Sequence, residues 1–207
     1  MPPAPLPFEH VFEPATVASA PPLLLLHGTG GNERDLLPLG RTLSPGSALL
    51  SPRGQVNERG AARFFARIAE GVFDPTEVAQ RTDELAGFIS SAAERYRIDL
   101  TRFIAVGFSN GANIAATLLL IRPIVLAGAV LIRPMVVIDR PAAPESLTGK
   151  RVLVLSGEHD PLVPPDHPRR LAAHLRLGGA DVSIKGFPAG HTLTRDDITT
   201  AQHWLAA

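Results

Sequence analysis

Five runs in this chain are apolar throughout: PLLLLH (22–27), SALLSP (47–52), FIAVGFS (103–109), AGAVLI (127–132) and RVLVLSG (151–157). A strand with one wet face alternates apolar and polar residues. Continuous apolar runs of this length therefore belong to strands covered on both faces, as in a parallel sheet. Helical patterns fall between the runs: ERDLLPLGRTL, TEVAQRTDELAGFISSAAERYRI, GANIAATLLLI, HPRRLAAHLRLGG and, at the end, RDDITTAQHWLAA. Alternation of the two kinds predicts an α/β fold whose mostly parallel sheet, of about six to seven strands, carries helices on both faces. DVSIKGF (181–187) alternates and is expected at an edge; FEHVF (8–12) is expected to add an antiparallel strand at the start. The Pro-rich IDRPAAPESLTGK (138–150) reads as a surface connection, so residues 1–207 are read as a single domain.

Bulk composition narrows the partners. The chain has 20 basic and 20 acidic residues and no charge run, so it lacks the basic face that a nucleic-acid partner requires. It has no cysteine, which excludes disulfides and thiol chemistry. The start, MPPAPLPFEH, has neither a basic nor an apolar leader segment, and runs such as IVLAGAVLI are about half the roughly 20 residues of a bilayer span. The expectation is a cytoplasmic protein with no membrane partner. A homodimer is one assembly the sequence leaves open.

In such folds the chemistry gathers at the C-terminal ends of the strands. FIAVGFS passes almost without a loop into GANIAA, and Ser109 sits at the corner between Gly107 and Gly111. A sharp strand-to-helix corner forces its residue toward positive φ and requires small neighbours, and it presents the corner side chain at a helix N-terminus, where negative charge is favoured. G-x-S-x-G alone arises by chance in about one chain in twenty of this length, so the remaining strand ends must support it. PLLLL ends in HGTGGNERDL. Its glycines let the backbone approach a ligand, and the functional reading pairs the N–H of Thr29 with that of Asn110 as an oxyanion hole. The bland reading is a Gly-rich turn into a helix begun by Asn32, Glu33 and Asp35. His27, at the same strand end, is expected to brace loops.

RVLVLSG ends in EHDPLVPPDH, where Asp160 is the best candidate for an orienting acid, ahead of Glu158 and of Asp166, which suits a helix cap. His159 and His167 lack metal-ligand spacing and are expected to be solvated; no metal site is predicted. DVSIKGF ends in PAGHTL, which offers His191 as a base, the structural alternative being a capping histidine. Ser109, Asp160 and His191 each follow a predicted strand, in the chain order Ser, Asp, His that distinguishes α/β-hydrolases from the other large serine-hydrolase folds.

With these pieces in place the chain resembles the α/β-hydrolase superfamily over nearly its whole length. It is most similar to small bacterial carboxylesterases of the phospholipase/carboxylesterase group, relatives of acyl-protein thioesterases and dienelactone hydrolases. The resemblance rests on HGTGGNERDLLPL, SPRG followed by RFF, GFSNGANIAA, LIRPMV, SGEHDPLVP and AGH, and SPRG…RFF with RPMV points to the subgroup that includes hydroquinone-linked hydrolases. It implies Ser109 as nucleophile, His191 as base, Asp160 as its orienter, and Thr29 and Asn110 as oxyanion donors, with no cofactor. Dienelactone hydrolases carry a cysteine nucleophile, where this chain presents a serine. A complete core leaves no length for a large cap domain, so the site is expected to be open, with residues 51–74 as its wall. Arg53 is a candidate for pairing with a substrate carboxylate, with a structural ion pair as the alternative. Phe64, Phe65 and Met135 are candidates to line an acyl or aryl pocket, with core packing as the alternative for the aromatics.

The expected activity is hydrolysis of small carboxylic esters through an acyl-enzyme. Thioesterase or lysophospholipase-like activity at the same site, a lyase or peptidase on the same scaffold, and a ligand-binding protein without turnover are the alternatives.

Overall fold

The computed structural model describes residues 6–207. Its main sheet has seven strands: β1 (His10–Glu13), β2 (Leu23–Leu26), β3 (Leu49–Pro52), β6 (Ile104–Phe108), β7 (Gly128–Ile132), β8 (Arg151–Gly157) and β9 (Asp181–Phe187), in the order β1-β3-β2-β6-β7-β8-β9. Every neighbouring pair is parallel except β1 with β3, the antiparallel strand expected at the start; β1 forms one edge, and β9, expected at an edge, forms the other. A small antiparallel hairpin, β4 (Val56–Glu58) with β5 (Ala61–Arg63), interrupts the segment read as a wall.

Within each central strand the side chains divide between two cores. Leu24, Leu26, Ala105, Leu131, Val152 and Val154 meet α2 (Pro75–Tyr96), α3 (Asn110–Ile121) and α4 (His167–Leu177) on one face. Leu23, Leu25, Val106, Val130, Leu153 and Leu155 meet α1 (Leu37–Leu43) and α5 (Arg195–Ala206) on the other. This division is the period of two imposed on continuous apolar runs, and it explains why the runs do not alternate. Residues 133–150 join β7 to β8 without a helix or strand, so no cap domain is inserted there.

One helix start and one helix cap differ from the sequence expectation. ERDLLPLGRTL becomes helical only from Leu37: Asn32 Oδ1 accepts from the Arg34 N–H and Asp35 Oδ2 from the Asn32 N–H, which holds the preceding residues in turns. Asp166 precedes α4 but makes no side-chain cap; its carboxylate instead accepts from Arg170 one turn on, at 3.0 Å. The capping box lies at α5, where Thr194 and Asp197 exchange hydrogen bonds with each other's backbone N–H.

Candidate active site

Ser109 ends the central strand β6 and precedes α3 with φ 52° and ψ −117°, a backbone conformation that costs a non-glycine residue about 1–3 kcal/mol. The strain is held by close packing. A Cβ on Gly107 would overlap the Gly111 carbonyl, and one on Gly111 would overlap the Leu26 carbonyl, so neither position tolerates a side chain. The Ser109 N–H is fixed to the Ile132 carbonyl at 2.9 Å.

The structure brings the three strand-end residues together. His191 Nε2 lies 2.8 Å from Ser109 Oγ, and His191 Nδ1 lies 2.8 Å from Asp160 Oδ2. The Asp160 carboxylate is almost fully buried, and its other oxygen accepts from the backbone N–H groups of Leu162 (2.9 Å) and Val163 (3.2 Å). With those donors in place, Oδ2 is directed at the imidazole. Glu158 stays exposed and Asp166 is occupied with Arg170, so neither competes for His191.

The loop carrying His191 is anchored by a group the sequence reading did not single out. Arg133, just past β7, is sealed inside the protein at a positive φ of 56°. Its Nε donates to the Gly190 carbonyl and its Nη2 to the Thr192 carbonyl, each at 3.0 Å, so both neighbours of His191 are held. Its charge is met by Asp197, at 2.9 and 2.7 Å, whose carboxylate also closes the capping box of α5. The only sequence signal was RPMV, noted as a motif with no role for the arginine.

His27 braces loops as expected. Its Nδ1–H donates to the Gly28 carbonyl (2.7 Å) and its Nε2 accepts from the Gly54 N–H (2.9 Å), an arrangement that requires the neutral ring. Burial lowers its pKa in the same direction. Thr29 lies in the loop so braced. Its N–H donates to no group among the described residues, while its hydroxyl accepts from Arg63 Nη1 at 2.5 Å and the adjacent Gly30 N–H donates to Ala62. The Asn110 N–H opens α3, where the first amides have no intrahelical acceptor. His167 is not a solvated loop residue: its Nδ1 accepts from the Val136 N–H at 3.1 Å and ties the loop after β7 to α4.

Around Ser109 the surface forms an open cleft of about 280 Å³, lined by Thr29, Asn110, Met135 and His191 among others. Its wall is the predicted segment, through Arg63, Arg67, Glu70 and Phe73. The residues chosen from that segment fall differently. Arg53 does not reach the cleft; it pairs with Glu33 at 2.6 Å and Glu9 at 2.7 Å, so the structural ion pair prevails. Phe64 and Phe65 turn inward, packing on His27 and Phe73 respectively, and it is Arg63 of the RFF triplet that faces the site. Desolvation lowers the Arg63 pKa, opposed by Glu58 at 3.3 Å. A larger depression, about 410 Å³, lies beyond Asp160 beside Pro164 and Pro168 and does not include Ser109. Among the described residues no cluster of three or more histidines, aspartates or glutamates could hold a metal, and no helix is long and apolar enough to cross a membrane.

Comparison with known proteins agrees with this fold. Residues 13–205 match the dienelactone hydrolase family. MhqD of Bacillus subtilis (strain 168), a hydrolase by name, is 46% identical over 196 residues, covering 95% of this chain and 96% of its own. A carboxylesterase of Bacillus cereus superposes with a TM-score of 0.93 at 42% identity, covering 97% of this chain and 94% of that one. A carboxylesterase of Mesorhizobium loti does so with a TM-score of 0.83 at 34% identity, over 89% and 87%. The chain therefore belongs to the dienelactone hydrolase family, as a carboxylic ester hydrolase built on the α/β-hydrolase fold.

Proposed function

We propose that the protein is a serine carboxylesterase for small esters, with Ser109 as nucleophile, His191 as general base and Asp160 as the residue that orients the imidazole. The observation that carries this reading is the single hydrogen-bonded line from Asp160 through both ring nitrogens of His191 to Ser109 Oγ. His191 Nε2 takes the hydroxyl proton as Oγ attacks the ester carbonyl, and the Asp160 carboxylate stabilises the imidazolium that forms. The N–H groups of Thr29 and Asn110 receive the oxyanion; among the described residues neither has a protein acceptor, and they stand at a loop and a helix start that favour negative charge. The imidazolium then protonates the departing alkoxide. Water, deprotonated by the same imidazole, attacks the acyl-enzyme and releases the acid.

Two features favour small substrates. The cleft volume is at or below the lower end of the range for small-molecule sites, and nothing between β7 and β8 closes over it. A cytoplasmic setting belongs to the same reading, supported by the cysteine-free composition. The test is steady-state hydrolysis of p-nitrophenyl acetate. Ser109→Ala and His191→Ala should each lower kcat by roughly four to six orders of magnitude, and Asp160→Asn by about 10²–10⁴. An Asp160→Asn enzyme at the wild-type rate would remove that residue from the mechanism.

A further inference from the structure

Asn110 and Asn113 occupy one face of the first turn of α3, immediately after Ser109, and both line the cleft. Both side chains are more than nine-tenths buried. In each, the carboxamide oxygen is already used: Asn110 Oδ1 accepts from the Phe64 N–H at 2.8 Å, and Asn113 Oδ1 from the Met135 N–H at 2.7 Å. Those backbone donors fix the orientation of both amides, because only an oxygen can face an N–H. What remains on each side chain is its NH₂ group. Among the described residues neither Nδ2 has a hydrogen-bond partner, but the two differ in access: the Asn110 Nδ2 is sealed from solvent, and the Asn113 Nδ2 is not.

Buried donors left unpaired destabilise a protein, and native structures retain few of them. The sealed Asn110 NH₂ is one such donor; the Asn113 NH₂, on a side chain more than nine-tenths buried, lines the cleft beside the nucleophile with no partner among the described residues. A ligand that matches the Asn113 donor presents an oxygen lone pair. Charge decides which kind of oxygen. Arg63 and Arg67 on the cleft wall are both met by Glu58, and Arg67 also by Glu70, so their positive charge is balanced before any ligand arrives. The site therefore lacks the surplus cation that a carboxylate would need.

We infer that Asn113 is a specificity-determining donor for a second, neutral carbonyl oxygen carried by the substrate: the preferred substrates are keto esters rather than plain alkyl esters. The inference rests on Ser109 opening esters in this cleft and deepens that reading.

The experiment compares three ethyl esters by pH-stat titration: levulinate, with a ketone; pentanoate, with the ketone oxygen deleted; and monoethyl succinate, with a carboxylate in its place. The wild type should favour levulinate over pentanoate in kcat/KM by roughly tenfold, the worth of one well-made hydrogen bond from a buried donor. Asn113→Asp keeps an oxygen toward the Met135 N–H and replaces the cleft NH₂ by an acceptor, and Asn113→Leu removes both functions at similar volume. In each variant the levulinate-to-pentanoate ratio should fall to near one. Both substrates are read on the same folded enzyme, so a loss of stability does not move this ratio. An unchanged ratio in both variants overturns the inference, as does a wild type that prefers monoethyl succinate, which would assign recognition to the arginines. Pentanoate hydrolysis that survives Ser109→Ala would instead overturn the underlying ester-hydrolase mechanism, whatever the ratio.

Discussion

Arg133→Met probes how the base is held. The guanidinium and the Asp197 carboxylate are both fully buried, and the substitution leaves that carboxylate, among the described residues, with the Thr194 N–H and hydroxyl alone, each at 2.8 Å. Removing one partner of a buried pair costs about 3–5 kcal/mol, against a total stability of about 5–15 kcal/mol for a domain. With a urea m-value near 2–3 kcal/mol/M, the unfolding midpoint should drop by roughly 1–2 M. The ties to the Gly190 and Thr192 carbonyls vanish as well, which frees the loop on both sides of His191. A catalytic group displaced by about 1 Å can cost 10²-fold in rate, so kcat on p-nitrophenyl acetate should fall by about 10- to 100-fold at a temperature where the variant is folded. Arg133→Met/Asp197→Asn separates the two effects. The uncompensated charge is gone and the cap oxygen is kept, so most of the midpoint should return while kcat stays low. Recovery of both together would refute a positioning role for Arg133, and a single variant of wild-type stability would refute the energetic reasoning.

Gly111→Ala should be severely damaging, because its methyl group would meet the Leu26 carbonyl across the tightest helix–strand approach at the elbow; thermal unfolding and soluble yield both report it. Stability should also fall on mild acidification through His27. Its folded pKa is below the unfolded value, mainly by desolvation, so its contribution is complete above about pH 6.5 and is lost as pH drops from there toward the folded pKa. Urea midpoints at pH 8 and pH 5.5 should differ more for the wild type than for His27→Ala, and equal differences would remove His27 as the source. Glu33 acts in a lower window. Arg53 holds its pKa down, so that contribution is present above about pH 4.3 and is lost as pH falls through the folded value, and Arg53→Ala should narrow the acid loss accordingly. On the substrate side, kcat/KM along a p-nitrophenyl series from acetate to palmitate should level off after a few carbons. Each buried methylene is worth about 0.8 kcal/mol only where a wall exists to cover it. A steady rise through the long chains would reveal a deep channel.

The sheet was legible because its central strands are buried on both faces, which leaves unbroken runs such as LLLL and GAVLI, and the candidate site residues were legible because each lies within a few residues of a strand's C-terminal end. Ser109 and His191 carry signals that adjacency alone supplies: glycines two residues to either side, and a histidine between a strand and a helix. Pocket lining was less accessible. RFF contains one residue that faces the cleft and two that turn into the core, and a segment of short strands and turns has no periodicity from which to choose among them. The same holds for Arg53, where a partner twenty residues away, Glu33, determines the outcome. Arg133 was hidden for a different reason. Its partners around the base, the Gly190 and Thr192 carbonyls and the Asp197 carboxylate, are more than fifty residues distant, and a buried arginine looks the same in sequence as an exposed one.

The central claim is that Ser109 is the atom-bearing nucleophile and that His191 and Asp160 make it so. The most direct measurement is covalent labelling with a fluorophosphonate, followed by intact mass and peptide mapping. The account predicts one adduct per chain, placed on the peptide containing Ser109, absent in Ser109→Ala, and formed far more slowly in His191→Ala. Stoichiometric labelling that persists in Ser109→Ala, or that maps to another residue, would contradict it.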